Sequence, residues 1–252
     1  MSSSTDGQLD TGRNVLITGA ASGMGRASAQ RFASRGDRII LADRNTDLLE
    51  ESRRSLPNPD KHLGLAMDIA DRYSVEAGFS VAADEVGELD VAILAAGIVD
   101  YHNDGPLEKV TDEAWERLVS VNLRGAFLTA QAAYRLIAKR NTSSIVLVAS
   151  IASLIGQKKL YAYSAAKSGV ASLARTLAME AGKTGVRVNA ISPGAVATNM
   201  TKDVLQYSKP LNVLGRAGQP EEIAAVLYGI CDPDASFLTG ANIAVDGGAA
   251  IY

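Results

Sequence analysis

Short apolar runs alternate with helix-like segments along the whole chain, and this alternation strongly limits the folds it can adopt. The runs are short and rich in Val, Ile and Leu, and most of the segments between them are long enough for a helix. Strands separated in this way predict βαβ units and therefore a parallel sheet. The predicted strands are Asn14–Thr18, Arg38–Ala42, His62–Met67, Asp90–Ala95, Ser144–Ala149, Val186–Ile191 and Asn242–Val245.

No break in composition divides the 252 residues, so we predict an α/β fold with a single domain. That domain is a doubly wound (Rossmann-type) parallel sheet with helices on both faces. It extends over residues 13–252 and follows a flexible tail at residues 1–12, which lacks the apolar core of a signal peptide. Long helices are predicted over Thr111–Arg140 and Leu160–Ala181.

Charge and composition exclude several classes of protein. The net charge of −3 provides no positive field for nucleic acid or acidic membranes. The longest apolar stretch, about Val91 to Val99, is too short to span a bilayer. One cysteine and two distant histidines argue against a disulfide framework and against a metal site. We therefore predict a cytoplasmic protein without metal, nucleic acid or membrane partners.

A glycine-rich turn, TGAASGMG, joins the first predicted strand to the first helix. Glycines let backbone N–H groups approach a pyrophosphate, and the N-terminus of a helix favours its negative charge. A tight turn without a ligand is the alternative. Asp43, 18 residues after Gly25, ends the second strand, where a carboxylate can accept hydrogen bonds from both ribose hydroxyls and repel a 2′-phosphate. The alternative for Asp43 is a cap of the next helix.

A tyrosine and a lysine share one face of the second long helix. Tyr163 and Lys167 are four residues apart, and Ser150 ends the fifth strand 13 residues upstream of the tyrosine. An ammonium beside a phenol stabilises the phenolate and lowers the phenol's pKa from about 10. Such a phenol can donate a proton to a carbonyl or accept one from an alcohol.

Together these motifs resemble the short-chain dehydrogenase/reductase family over residues 13 to about 248. TGAASGMG is similar to the family's TGxxxGxG, YSAAK to its YxxxK, and VNLRG places Asn122 at its catalytic Asn. RVNAISPG with Thr198 is similar to the segment that contacts the nicotinamide side, and Asp68-Ile69 to the one that meets adenine. The chain departs from the family at Leu94-Ala95, where both asparagines of its Asn-Asn-Ala-Gly are absent, and we expect local backbone hydrogen bonds to be lost.

The resemblance implies a role for each matched residue. Tyr163 is the general acid/base, Lys167 lowers its pKa and holds the nicotinamide ribose, Ser150 hydrogen-bonds the reacting oxygen, and Asn122 supports a proton-relaying water. The predicted cofactor is NAD. Its predicted binding residues are Gly19, Ser22, Gly23, Met24, Gly25, Asp43, Asp68, Ile69, Ala96, Gly97, Tyr163, Lys167, Pro193, Gly194, Val196 and Thr198.

Three functions remain open at this stage. The first is NAD-dependent oxidation of a secondary alcohol or reduction of the matching ketone. The second is an NADPH-dependent ketoreductase of the 3-oxoacyl-carrier type, for which Arg44 provides a positive charge. The third is a catalytically silent nucleotide-sensing protein, because a fold alone does not establish activity.

The substrate is a small molecule that the sequence does not identify. A predicted lid at about residues 195–218 mixes apolar and charged side chains, which suits a partly apolar substrate such as a cyclic alcohol, a polyol or a hydroxy acid. The resemblance further implies a homotetramer built through the two long helices, with a dimer as the alternative.

Overall fold

The computed structural model describes residues 12–202, 205 and 212–251. These residues form a sheet of seven parallel strands in the order β3-β2-β1-β4-β5-β6-β7. The predicted fold class is therefore confirmed. The strands are β1 (Asn14–Thr18), β2 (Arg38–Asp43), β3 (Leu63–Ala66), β4 (Val91–Leu94), β5 (Ser144–Val148), β6 (Arg187–Pro193) and β7 (Asn242–Val245).

Helices cover both faces of this sheet, as expected when parallel strands are joined by helical crossovers. The first, second and seventh helices pack on one face, and the third, fifth and sixth on the other. Strands β4, β5 and β6 are buried along their whole length, which explains their continuous apolar character. The helices are α1 (Gly23–Ala33), α2 (Thr46–Arg54), α3 (Arg72–Val86), α4 (Asp112–Val119), α5 (Gly125–Leu136), α6 (Tyr161–Ala181) and α7 (Pro220–Ile230).

The first long helix differs from its prediction. The predicted helix over Thr111–Arg140 is instead α4 and α5 joined by one π-helical segment, Ser120–Arg124. It ends at Leu136 because the next residues leave the helix to pair with Leu89, whose N–H donates to the Leu136 carbonyl. Tertiary pairing therefore replaces the last predicted turn.

The remaining boundaries agree with the predictions to within a few residues, except where the chain is not described. Thr111 caps α4, with its Oγ1 accepting from the Ala114 N–H at 3.2 Å. Residues 1–11 of the predicted tail and residues 203, 204 and 206–211 of the predicted lid lie outside the described residues.

Strand order also fixes where a ligand can bind. Strand β1 lies between β2 and β4, so the crossovers that follow β1 and β4 leave on opposite sides of the sheet. A crevice opens at the carboxyl ends of strands at such a switch point. The glycine-rich turn follows β1, and Gly97 follows β4, so both belong to this edge.

Candidate active site

A cleft of about 240 Å³ lies at the carboxyl edge of the sheet between the turns that follow β1 to β4. Most of the predicted cofactor residues contribute to its wall. Those that line it are Gly19, Ser22, Gly23, Met24, Gly25, Asp43, Asp68, Ile69, Ala96, Gly97 and Thr198. Of the other predicted cofactor residues, Pro193, Gly194 and Val196, at and just after the end of β6, do not line it, and neither do Tyr163 and Lys167.

The glycine-rich turn needs its glycines for close packing. A Cβ on Gly25 would lie 2.1 Å from the Gly19 carbonyl oxygen, and one on Gly19 would lie 2.9 Å from the Ala96 Cα. Gly19 also has a positive φ of 73°, which glycine adopts at little cost. The turn therefore lies directly against the backbone that follows β4.

The start of α1 is suited to an anionic group. Ser22 is its N-cap residue but makes no side-chain cap, and the first turn contains no acidic residue. The first N–H groups of a helix lack intrahelical partners, and the helix dipole favours negative charge beside them. The cleft beside Ser22 thus fits the pyrophosphate of a dinucleotide cofactor.

Asp43 ends β2 and lines the cleft next to Arg44. Its Oδ2 accepts from the Ala21 N–H at 3.2 Å, and its Oδ1 accepts from the Asn45 N–H at 3.0 Å. Asn45, whose Oδ1 accepts from the Leu48 N–H at 3.1 Å, is the residue that caps α2. The interpretation of Asp43 as the cap of α2 is therefore wrong, and its carboxylate instead braces the glycine-rich turn.

Ser150, Tyr163 and Lys167 meet between the end of β5 and the first turns of α6. Ser150 and Tyr163 are joined by a side-chain hydrogen bond, and the Lys167 Nζ lies 5.8 Å from the centre of the Tyr163 ring. That Nζ donates to the Val148 carbonyl at 2.9 Å, which holds the lysine against the end of β5. The predicted trio is thus assembled as its spacing indicated.

The electrostatics of the trio differ from the sequence-based expectation. Burial raises the pKa of Tyr163 to about 12, although the hydrogen bond from Ser150 acts in the opposite direction. Burial also lowers the pKa of Lys167 to about 8. The Tyr163 pKa thus lies above 10 in this structure, because burial disfavours the charged form of both groups.

Asn122 lies in the π-helical segment and fastens the turn after β4. Its Oδ1 accepts from the Ile98 N–H at 3.0 Å, and its Nδ2 donates to the carbonyls of Ile98 and Leu118 at 2.9 and 3.0 Å. A Cβ on Gly97 would lie 2.7 Å from this Oδ1 and 3.2 Å from the Lys167 Nζ. Asn122, Gly97 and Lys167 are therefore in close contact, and π-helical segments are frequent at such sites.

The turn after β4 keeps a hydrogen bond despite the two absent asparagines. Thr18 Oγ1, at the end of β1, accepts from the Ala96 N–H at 3.2 Å. The neighbouring strand β1 thus supplies a side-chain hydrogen bond to this turn.

Two site residues escaped the sequence analysis, and both lie in the loop after β4. Tyr101 acts on Tyr163 electrostatically and raises its pKa. Asp104 is fully buried and accepts from the backbone N–H groups of Ala162 and Tyr163. No local pattern marks either residue, since polar side chains in a loop are normally solvated.

The described residues contain neither a metal-binding cluster nor a membrane-spanning helix. Within residues 12–202, 205 and 212–251, no group of three or more His, Cys, Asp or Glu could hold a metal ion. No helix in the same part of the chain is both long and apolar enough to cross a bilayer.

Comparison with known proteins identifies the family. A family model described as enoyl-(acyl carrier protein) reductase matches residues 19–250. The chain is 36% identical over 239 residues to meso-2,3-butanediol dehydrogenase of Serratia marcescens, covering 93% of each chain.

Two solved structures from Brucella melitensis are also similar. One is a short-chain dehydrogenase/reductase described as glucose/ribitol dehydrogenase, with a TM-score of 0.88, 33% identity, and coverage of 94% of this chain and 96% of that chain. The other is a 3-ketoacyl-(acyl-carrier-protein) reductase complexed with NADH, with a TM-score of 0.86, 31% identity, and coverage of 95% and 98%. The chain therefore belongs to the short-chain dehydrogenase/reductase family, whose members are oxidoreductases that use a nicotinamide cofactor.

Proposed function

We propose that the protein is an NAD-dependent dehydrogenase that interconverts a secondary alcohol and its ketone. The observation that carries this proposal is the meeting of Ser150, Tyr163 and Lys167 at the same sheet edge as the cleft. Gly97 connects these three residues to the cleft, because it lines the cleft and lies against Lys167.

Each side chain has a defined role in this proposal. Tyr163 takes the proton from the alcohol during oxidation and returns it to the carbonyl oxygen during reduction. Ser150, already hydrogen-bonded to Tyr163, orients the reacting oxygen. Lys167 holds the nicotinamide ribose and supplies positive charge when protonated, and Asn122 supports a water that relays protons to it. A bound nicotinamide supplies the hydride acceptor or donor.

The choice of NAD rests on Asp43. Its carboxylate lines the cleft at the end of β2, where it can accept hydrogen bonds from both ribose hydroxyls and repel a 2′-phosphate. The 3-ketoacyl-(acyl-carrier-protein) reductase from Brucella melitensis was solved with NADH, which supports NAD as the cofactor of this chain.

One observation favours a second candidate, an NADPH-dependent 3-oxoacyl reductase. Arg44 lines the cleft beside Asp43, and its guanidinium is suited to a 2′-phosphate. The 3-ketoacyl reductase among the similar structures supports the substrate class of this candidate, although that structure contains NADH. The names of the other relatives favour small diols and polyols as substrates of the first candidate, the NAD-dependent dehydrogenase.

The experiment that decides between these functions is a substrate screen of the purified protein. Diols, polyols, cyclic alcohols and hydroxy acids are offered with NAD or NADP, and 3-oxoacyl thioesters with NADH or NADPH, while reduced nicotinamide is followed by absorbance. We expect NAD-linked turnover of a secondary alcohol. Preference for NADPH and a thioester supports the second candidate, and cofactor binding without any turnover supports a silent sensor.

Tyr163→Phe is the matched variant for this screen, because it keeps the ring and removes the exchangeable proton. We expect turnover to fall by about 10²- to 10⁴-fold while the cofactor Kd stays nearly unchanged. Turnover close to that of the unmutated protein contradicts the role proposed for Tyr163.

We also propose that the protein assembles as a homotetramer through the helices α4, α5 and α6. Trp115, Phe127 and Met179 lie on these helices and are 40%, 43% and 81% exposed, respectively. Contact between these helices and a second copy of the chain would remove such exposed apolar side chains from water. Light scattering of the purified protein measures its mass, and a mass of two chains supports the dimer instead.

A further inference from the structure

The catalytic helix α6 receives its N-terminal cap from a distant loop. Its own N-cap residue, Leu160, makes no side-chain cap. Instead, Asp104 Oδ1 accepts from the Ala162 N–H and Asp104 Oδ2 from the Tyr163 N–H, each at 2.9 Å. Asp104 is 0% exposed, so its carboxylate is withdrawn from water to make these two contacts.

The loop that carries Asp104 is itself anchored. The Asp104 N–H donates to the Asp100 carbonyl at 3.0 Å. The Asp100 carboxylate accepts from the Asn103 N–H at 3.0 Å and from an Arg117 guanidinium nitrogen at 2.9 Å. Because Arg117 belongs to α4, the contacts form a chain from α4 through this loop to the start of α6.

The position of this cap matters because Tyr163 is one of the two residues it holds. The first N–H groups of a helix need external partners, and a carboxylate also stabilises the positive end of the helix dipole. Both contacts fix the backbone from which the Tyr163 ring projects toward Ser150. A reacting group that is misplaced by about 1 Å can lose about 100-fold in rate.

We propose that Asp104 is a positioning residue that fixes the first turn of α6 and so holds the Tyr163 hydroxyl against Ser150. This inference rests on the proposed function in so far as it concerns turnover. It assigns Asp104 no contact with substrate or cofactor.

Two variants test the proposal against wild-type protein. Asp104→Ala removes both acceptors, whereas Asp104→Asn keeps one oxygen and can satisfy one of the two N–H groups. We expect kcat to fall by about 10- to 100-fold in the alanine variant and by less in the asparagine variant. We expect the cofactor Kd to stay within about twofold, because Asp104 does not line the cofactor cleft.

The matched control is Asp112→Ala, which removes an exposed carboxylate from the first turn of α4. We expect this variant to keep the wild-type kcat. If Asp104→Ala keeps the wild-type kcat as well, the proposal is overturned. If kcat and cofactor affinity fall together in both Asp104 variants, Asp104 has only a general structural role and the proposal is also overturned.

Hydrogen–deuterium exchange provides a readout that does not need activity. The N–H groups of Ala162 and Tyr163 are expected to exchange slowly in wild type and faster in Asp104→Ala, with Asp104→Asn between them. If wild type turns over no substrate, the proposed function fails, and the exchange result alone decides whether the cap exists. Equal exchange in wild type and in both Asp104 variants overturns the cap.

Discussion

At the scale of single residues, Asp43 and Arg44 bring opposite charges to the same end of β2. Asp43→Asn removes the negative charge but keeps an oxygen that can accept from the Ala21 N–H, so the glycine-rich turn stays braced. Asp43→Ala removes both the negative charge and the hydrogen bond from the Ala21 N–H, so it does not test the charge by itself.

We expect Asp43→Asn to lower the ratio of kcat/KM with NAD to kcat/KM with NADP. A hydrogen bond to a charged group contributes about 1.5–3 kcal/mol, which corresponds to a decrease of about 10- to 100-fold. Asp47→Asn, an exposed change in the first turn of α2, is the control and should leave the ratio unchanged. An unchanged ratio in Asp43→Asn removes Asp43 from cofactor selection.

The charges around Tyr163 lead to a pH prediction. Because the Tyr163 pKa is about 12, little phenolate exists at neutral pH, and alcohol oxidation should rise as the pH rises. Reduction needs the protonated phenol and should fall only at high pH. Lys167, with a pKa of about 8, carries its charge mainly below that pH and favours the phenolate there.

We expect Lys167→Ala to slow oxidation below about pH 8, where the Lys167 ammonium is charged and favours the phenolate, and to raise the cofactor KM. The measurement is the pH profile of kcat at saturating NAD. Lys158→Ala, an exposed change ahead of α6, is the control. A raised KM with an unchanged kcat below about pH 8 leaves Lys167 as a ribose-binding residue without a part in the proton chemistry.

At the scale of elements, the turn after β4 connects the cleft to the catalytic helices. Gly97 lies against the side-chain Oδ1 of Asn122 and the Nζ of Lys167, and a Cβ at this position would contact both atoms. Asn122 in turn holds the next residue, Ile98, by two hydrogen bonds. A displacement of this turn therefore reaches the site through Asn122 and Lys167.

We expect Gly97→Ala to reduce kcat by about tenfold or more, because Lys167 and Asn122 must move away from the added methyl group. Gly229→Ala is the matched control, since a Cβ there meets nothing within 4 Å. Steady-state kinetics of both variants tests this expectation. Full activity in Gly97→Ala means that the turn relaxes without affecting the site.

At the scale of the whole molecule, His62 makes the stability of the fold depend on pH. Its Nδ1 accepts from the Ile39 N–H at 3.0 Å, so its Nε2 donates to the Pro57 carbonyl at 2.8 Å. Burial lowers the pKa of this histidine below its ordinary value. Since the unfolded chain takes up this proton near pH 6.5 and the folded chain does not, stability is lost as the pH falls through 6.5 toward the lowered pKa.

We expect His62→Asn to weaken the dependence of unfolding free energy on pH between about 7 and 5. Asparagine can accept from Ile39 and does not titrate, and each unit of pKa difference that it removes corresponds to about 1.4 kcal/mol. Denaturant unfolding at several pH values measures the slope. His102→Asn, at an exposed position, should keep the wild-type slope, and an unchanged slope in His62→Asn contradicts the prediction.

Whatever depends on neighbours along the chain could be predicted from the sequence. The alternation of apolar runs with helical segments determined the parallel sheet, and β1 and β7 begin and end where the pattern indicated. The four-residue spacing of Tyr163 and Lys167 determined that both lie on one helix face. The glycines of the turn after β1 indicated its close packing because only that residue type avoids the backbone there.

Only the tertiary structure decided features that depend on contacts between distant parts of the chain. The end of α5 at Leu136 comes from pairing with Leu89, and the cap of α6 comes from Asp104, 58 residues before Ala162. Burial raises the pKa of Tyr163 and lowers that of Lys167, which the four-residue spacing of the pair does not show. Burial and long-range hydrogen bonds depend on which segments meet in space, and local spacing in the sequence does not contain that information.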